Sequence, residues 1–314
     1  MSGLAAATPP PSLSRSYADG ELRARNRLAK FLRLVVIEHS VFALPFAYLS
    51  ALTAMFDLSR RVDWPRLALI TIAMVGARTF AMAVNRIIDR EIDARNPRTA
   101  KRELVTGEMS VRTAWIGSAV ALVVFLAAAA LLSPLCLALA PVAALVLVIY
   151  PYAKRFTWAP HAFLGLAQAI GPIGAWIAVT NSLTWAGAML GAAVGCWIGG
   201  FDVIYSCQDV EADRRHGVHS IPADFSVAAG LLTARGAHVL TFALFAGFGA
   251  LEGFGLLWWI GLAGTAAAFV YEHSLISPND LSRVNRAFFT VNGFVGIWLF
   301  VWALGDLAMR GLRP

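Results

Sequence analysis

Two short stretches of the sequence place acids where metal and phosphate chemistry can be done. The first runs Asn85-Arg-Ile-Ile-Asp89-Arg-Glu-Ile-Asp93, with Asn85, Asp89 and Asp93 at i+4 steps that share one face of a helix. The second runs Asp202-Val-Ile-Tyr205-Ser-Cys-Gln-Asp209-Val-Glu-Ala-Asp213, and its i, i+3, i+7, i+11 spacing again makes one polar stripe. Opposed carboxylates on two helices repel unless a cation lies between them, and hard oxygen ligands suit Mg²⁺. That ion keeps waters and completes its shell with phosphate oxygens. Arg98, Lys101 and Arg102 follow the first stretch, Arg214 and Arg215 follow the second, and Lys154 and Arg155 lie between them. Beside two acidic clusters, these cations form a cradle for a diphosphate.

The elements that must position this chemistry are apolar. Of 314 residues 58% are hydrophobic and 14% charged, against about 25% charged in a soluble domain. Mean hydropathy is +0.65, so there is too little charge to cover a water-facing surface. Apolar segments recur at 34–56, 66–88, 114–132, 134–150, 158–180, 184–206, 228–250, 254–274 and 287–304, each near the ~20 residues that span hydrocarbon. The expectation is an all-α integral membrane protein with nine transmembrane helices embedded in the lipid bilayer. The tract 114–150 is divided at Ser133-Pro134, where proline can open a new helix but not continue one. Residues 1–30 read as a disordered tail with a basic interfacial segment, 31–306 as the transmembrane domain and 307–314 as a short tail. The three cysteines, Cys136, Cys196 and Cys207, lie in or beside apolar stretches and make no disulfide framework.

With the N-terminus in the cytoplasm, 20 of the 26 Lys and Arg fall in inner segments and five in outer ones. This bias sets the C-terminus outside and both acidic clusters at the cytoplasmic edge. It also accounts for the net charge of +7 without a nucleic-acid partner. No protein partner is legible. Both acidic helices run outside to inside, so the acids fall at helix C-termini, the pole that disfavours them. The same design occurs twice, four helices apart, which reads as two four-helix repeats plus a ninth helix. A charged site at the mouth of an apolar bundle fits a ligand with a charged head and a greasy tail, such as polyprenyl diphosphate. A cation-coupled transporter is the competing class, but transport sites tend towards the bilayer midplane.

At these residues the sequence resembles the UbiA superfamily of intramembrane prenyltransferases. Its two aspartate-rich motifs are matched by Asn85, Asp89 and Asp93 and by Asp202, Tyr205, Asp209 and Asp213. Arg98-Thr-Ala-Lys101-Arg102 and Tyr150-Pro-Tyr-Ala-Lys154-Arg155 agree further, with Glu103 where the family more often has proline. The resemblance implies a UbiA-like bundle on the bacterial plasma membrane with a cytoplasmic active site. It implies that Mg²⁺ ions held by Asn85, Asp89, Asp93, Asp209 and Asp213 bind polyprenyl diphosphate. Arg98, Lys101, Arg102, Lys154 and Arg155 would hold the leaving diphosphate, while an electron-rich aromatic acceptor attacks the allylic cation. Tyr205 would stabilise that cation or orient the diphosphate. Asp202 would position the acceptor or take its proton, or else tie two helices together.

Within the superfamily the likeness is to the 4-hydroxybenzoate polyprenyltransferase-like branch. Asn85-Arg-Ile-Ile-Asp89-Arg90 with Ile37-Glu38-His39-Ser40 is similar to members assigned to menaquinone synthesis by the futalosine route, which prenylate 1,4-dihydroxy-6-naphthoate. The alternative acceptor is the 4-hydroxybenzoate of ubiquinone synthesis. Arg78 shares the face of Asn85 and is read as a partner for a motif carboxylate or a grip on an acceptor carboxylate. Glu38 and His39 either contact the acceptor or are a wetted polar pair at the inner interface, and the segment Glu272-His273 to Asn285, of similar polar density, is either pocket wall or the same kind of wetted edge.

Overall fold

The computed structural model describes Phe31 and residues 40–314. The expected tail over 1–30, with Glu38 and His39, lies outside the described residues. What is described is helical, with no strands beyond two isolated bridges. The long helices are α1 (Ser40–Ser59), α2 (Trp64–Ile88), α3 (Val111–Leu132), α4 (Pro134–Ile149), α5 (Pro160–Thr180), α6 (Trp185–Ser206), α7 (Val227–Leu251), α8 (Leu256–Ser274) and α9 (Asn292–Met309). Among the described residues seven helical segments are long and apolar enough to cross a membrane. The expected spans not among them are α1, whose apolar described part is Leu44–Ser59, and α8, whose last turn carries Glu272 and His273.

The boundaries follow from local chemistry. Ser133 ends α3 and caps α4 by accepting from Cys136 N, with Pro134 at the first turn, where its missing N–H costs nothing. Asp63, Ser110, Thr184 and Ser226 cap α2, α3, α6 and α7 in the same way. Helix α6 packs on α5 and α7, α2 on α3, α9 on α1 and α8. Trp197, Phe245, Phe248 and Trp258 are fully buried at the centre. Val120, Val123, Leu232, Val239, Val270 and Val301 remain exposed on long helices, the face that hydrocarbon would cover.

Neither acidic helix runs through its motif, and this corrects the expected continuous stripes. Helix α2 ends at Ile88, Asp89 takes φ −88° and ψ 0°, and a short helix restarts over Arg90–Arg95. Helix α6 ends at Ser206 and passes through a 3₁₀ turn. Asp209 then takes φ −100° and ψ 0°, and Val210–His216 restarts. The dipole argument changes with it: Glu91, Asp93, Glu211 and Asp213 lie in the first turn of a new helix, the pole that favours anions. Arg155 Nη2 donates to Ile88 O at 2.7 Å, satisfying a carbonyl at the end of α2.

Candidate active site

The two breaks face each other across a polar cavity of about 200 Å³. Asn85, Asp89, Asp93, Asn96, Arg98 and Arg102 line one side; Asp202, Asp209, Asp213 and Ser220 line the other, with Lys154 and His161 between. On the first side, Asp89 is 1% exposed and accepts from Lys154 Nζ at 2.6 Å, Arg155 Nη1 at 3.1 Å and Asn85 Nδ2 at 3.0 Å. Asp93 is also buried and accepts from Arg102 Nη1 at 2.5 Å. Lys154 and Arg155 reach Asp89 from the 3₁₀ turn Tyr150–Arg155 that ends α4. The loop after the first motif folds back because Thr99 Oγ1 donates to Asp93 O and Arg98 N to Asn96 Oδ1.

That fold delivers Arg98 across the cavity. Its Nε and Nη2 donate to Asp209 at 3.0 and 2.6 Å, a two-pronged contact, and its Nη1 donates to Tyr205 Oη at 3.2 Å. The guanidinium also lies 4.9 Å from the centre of the Tyr205 ring. Burial works against the charge of Arg98, but the hydrogen bonds and charges of Asp209 and Tyr205 prevail and raise its pKa. Asn96 Nδ2 adds a second donor to Asp209, and Ser220 Oγ donates to Asp213. The Tyr205 ring packs on Phe288 at 4.1 Å, from a π-helical turn over Arg286–Val291 that opens α9.

Asp202, deepest of the acids, meets His161 of α5 at 2.7 Å. The aspartate bridges two helices, as the tie reading expected, and also lines the cavity. Arg78 does not join a motif carboxylate. Seven residues are two turns, so it lies about 10 Å along α2 from Asn85. There it borders a second, apolar cavity of about 350 Å³ between α2, α3, α4 and α5, with its Nε buried and unpartnered. Tyr150 lines that cavity too and opens the turn that carries Lys154 into the polar one, as α2 carries Arg78 into the apolar and Asn85 into the polar cavity, so the cavities are neighbours.

Some expected groups fall elsewhere. Lys101 is exposed and lines neither cavity, because the turn that aims Arg98 and Arg102 inward aims it away. Arg214 Nε instead donates to Ala223 O, and Arg215 is exposed. Glu272 is fully buried in a polar knot, accepting from Asn292 Nδ2, whose Oδ1 accepts from Trp197 Nε1. None of the residues from Glu272 to Asn285 lines either cavity. His161, Asn96 and Phe288 were missed. The signal for His161 was a lone histidine after Pro160, a short loop beyond the basic turn.

Hard oxygen donors alone, with no thiolate, make a set chemically suited to Mg²⁺. Among the described residues no three Asp, Glu, His or Cys groups converge on one metal position. Asp89, Asp93 and Asp209 each hold a cationic side chain instead, and Asp213 accepts from Ser220. The donors fit the ion in type, on condition that Arg98, Arg102, Lys154 and Arg155 shift to phosphate oxygens.

The model of the UbiA prenyltransferase family matches residues 43–304. A 4-hydroxybenzoate octaprenyltransferase of Pseudomonas aeruginosa is 31% identical over 78% of this chain and 82% of its own. An apo UbiA homologue from Aeropyrum pernix is 34% identical with a TM-score of 0.78, covering 86% of this chain and 98% of that one. A UbiA homologue from Archaeoglobus fulgidus bound to GPP and Mg²⁺ shares the fold at 19% identity and a TM-score of 0.67, over 89% of this chain and 99% of its own. Seven apolar helices among the described residues and this kinship make it an integral membrane protein, and the transport reading is set aside. The chain belongs to the UbiA prenyltransferase family.

Proposed function

We propose that the protein transfers a polyprenyl group from polyprenyl diphosphate to 4-hydroxybenzoate or a close relative, in a Mg²⁺-dependent step of quinone biosynthesis. The observation that carries this is the adjacency of two unlike cavities: one walled by Asp89, Asp93, Asp209 and Asp213 and rimmed by cations, the other apolar with one unpartnered guanidinium group. The first suits a metal-bound diphosphate, the second an alkyl chain and a ring bearing a carboxylate. The relatives named for 4-hydroxybenzoate support that acceptor over the dihydroxynaphthoate of the menaquinone route.

Asn85, Asp89, Asp93, Asp209 and Asp213 would hold Mg²⁺, as the Archaeoglobus homologue's bound ion and GPP suggest by shared fold. The chemistry Mg²⁺ supplies when bound is neutralisation of the diphosphate charge. Arg98, Arg102, Lys154 and Arg155 pass from their carboxylates to phosphate oxygens and stabilise the leaving group. Tyr205, backed by Phe288, presents its ring to the allylic cation. Arg78 grips the acceptor carboxylate. Lys101, being exposed, serves at most as a long-range positive charge. The matching breaks at Asp89 and Asp209 support two four-helix repeats, and the excess of Lys and Arg on this side supports nine spans with the N-terminus and active site cytoplasmic.

The test is to incubate membranes containing the protein with polyprenyl diphosphate, Mg²⁺ and a panel of hydroxybenzoates and hydroxynaphthoates, and to read prenylated products by mass spectrometry. Prenylated hydroxybenzoate that disappears with a chelator is the expected result. Product from naphthoates alone would reverse the acceptor assignment, and no product from any acceptor would sink the reading.

A further inference from the structure

Glu272, Asn292 and Trp197 are joined to one another outside both cavities, and each is fully buried. Asn292 Nδ2 donates to Glu272 Oε1 at 2.7 Å and to Ala287 O at 3.1 Å, and Trp197 Nε1 donates to Asn292 Oδ1 at 2.7 Å. Both polar atoms of the Asn292 side chain are thus committed. Apolar residues of like volume often serve a core as well, so a buried polar set of this kind points to a conformation that it fixes. The amide it holds still sits at the head of α9.

The conformation is that of the turn before it. Arg286–Val291 winds as a π-helix although it contains neither proline nor glycine. The backbone N–H of Asn292 goes to Phe289 O, where an α-turn would return it to Phe288 O, and its side chain takes the carbonyl of Ala287, five residues back. A π-turn holds one residue more than an α-turn, and each residue of an α-helix turns the chain by about 100°. The extra residue therefore decides which way Phe288 and Phe289 point. Both reach the ring of Tyr205, at 4.1 and 6.0 Å between centres, and Phe201 packs edge-on against Phe288 and Trp197. Tyr205 in turn carries Arg98 on its hydroxyl and over its ring.

We propose that Asn292, fixed by Glu272 and Trp197, is a positioning residue: it keeps the turn at the head of α9 wide, so that Phe288 and Phe289 hold the Tyr205 ring against the reacting prenyl group. This rests on the reading of Tyr205 as the ring that faces the allylic cation. The positive charge develops on the prenyl group only as its bond to the diphosphate oxygen breaks, so a misplaced ring costs the transition state and spares the bound substrates. Without the amide donor the turn tightens to an α-turn, one residue drops out of it, and Phe288 swings off Tyr205.

The test is a double-mutant cycle on the full-length protein in detergent, with polyprenyl diphosphate, Mg²⁺ and 4-hydroxybenzoate or whichever acceptor of the panel the wild type prenylates. Phe288→Leu and Asn292→Leu should each lower kcat about tenfold, with both KM values within about threefold of the wild type. Because Asn292 acts through Phe288, the double variant should also lose about tenfold, not the roughly hundredfold of independent sites. Glu272→Gln keeps the acceptor for Asn292 and should recover most of the rate that Glu272→Ala loses. If Asn292→Leu does not fold, Glu272→Ala takes its place in the cycle. Losses that multiply, or a rise of both KM values in proportion to the fall in kcat, would overturn the proposal and leave the knot a clamp of α6, α8 and α9. Tyr205→Leu reports separately: an unchanged kcat there would overturn the reading of Tyr205, whatever the cycle gives.

Discussion

The two ends of the bundle use the same ingredients to different effect. At the motif end, buried Asp89 and Asp93 pair with Lys154, Arg155 and Arg102 around an open polar cavity. At the opposite end, buried Asp306 on α9 accepts from Gly255 N and Trp258 N at the start of α8. There Arg310 donates to Glu252 O and lies 4.6 Å from the Phe56 ring centre. The second cluster closes on itself: its donors go to backbone and its cation is covered by aromatic rings. The first keeps side-chain donors in excess and empty space between them. Buried charge pairing therefore does not mark a site; unfilled volume bordered by exchangeable charge does.

The motif end is itself uneven, and the largest predicted effects sharpen that difference. Asp89 is buried against two cations, whereas Asp209, with its side chain 13% exposed, faces Arg98 at 36%. Asp89→Ala should abolish turnover, by about 10³-fold or more, and also destabilise the protein by roughly 3 kcal/mol, because two cations lose their common partner. Asp209→Ala should cost similar turnover yet change stability by less than about 1 kcal/mol, since water screens its arginine. Product formation and thermal melting of the same preparations separate the two. Equal melting losses would erase the asymmetry, and substantial residual activity in either variant would remove the two-sided metal site.

Arg78→Leu should act next most strongly and on one substrate only. Losing a charge-assisted contact raises KM for 4-hydroxybenzoate by about 10- to 100-fold, with KM for polyprenyl diphosphate unchanged. Steady-state kinetics varying each substrate would decide it. A matching rise in both constants would overturn the assignment of Arg78 to the acceptor alone.

How far the sequence carried depended on whether the cause was local. The break at Ser133-Pro134 was legible because a hydroxyl cap and a proline act on their own turn. The acids were legible as two clusters because each falls within one short stretch of sequence, although neither lies on one continuous helix. The breaks at Asp89 and Asp209 were not, since neither glycine nor proline stands there and Arg155 takes the freed Ile88 carbonyl from 67 residues away. His161 carried only a faint local signal, because its contact with Asp202 depends on the α5 and α6 crossing at Gly165 and Gly195. Arg78 was placed on the correct face, but which cavity that face meets two turns deeper is set by α3, α4 and α5.

The opposite end supplies the smaller effects, which should touch stability and leave kinetics alone. Asp306→Ala strips two N–H groups of α8 of their acceptor and should cost about 1–2 kcal/mol, with kcat and KM unchanged. Glu252, after α7, is pushed up to about 8 by burial, then by its hydrogen bond with Asp57 and that group's charge, with Arg310 pulling the other way. A folded-state pKa raised above its ordinary value means the fold favours the protonated acid. The stability it contributes is complete in acid and is lost as pH rises through about 8. Melting temperature should therefore fall by about 2 °C between mildly acidic and alkaline buffer, and Glu252→Gln should flatten that slope. A slope that survives Glu252→Gln would assign the titration elsewhere. A change in turnover with Glu252→Gln would show that the two ends communicate, and that the closed cluster is more than a clamp.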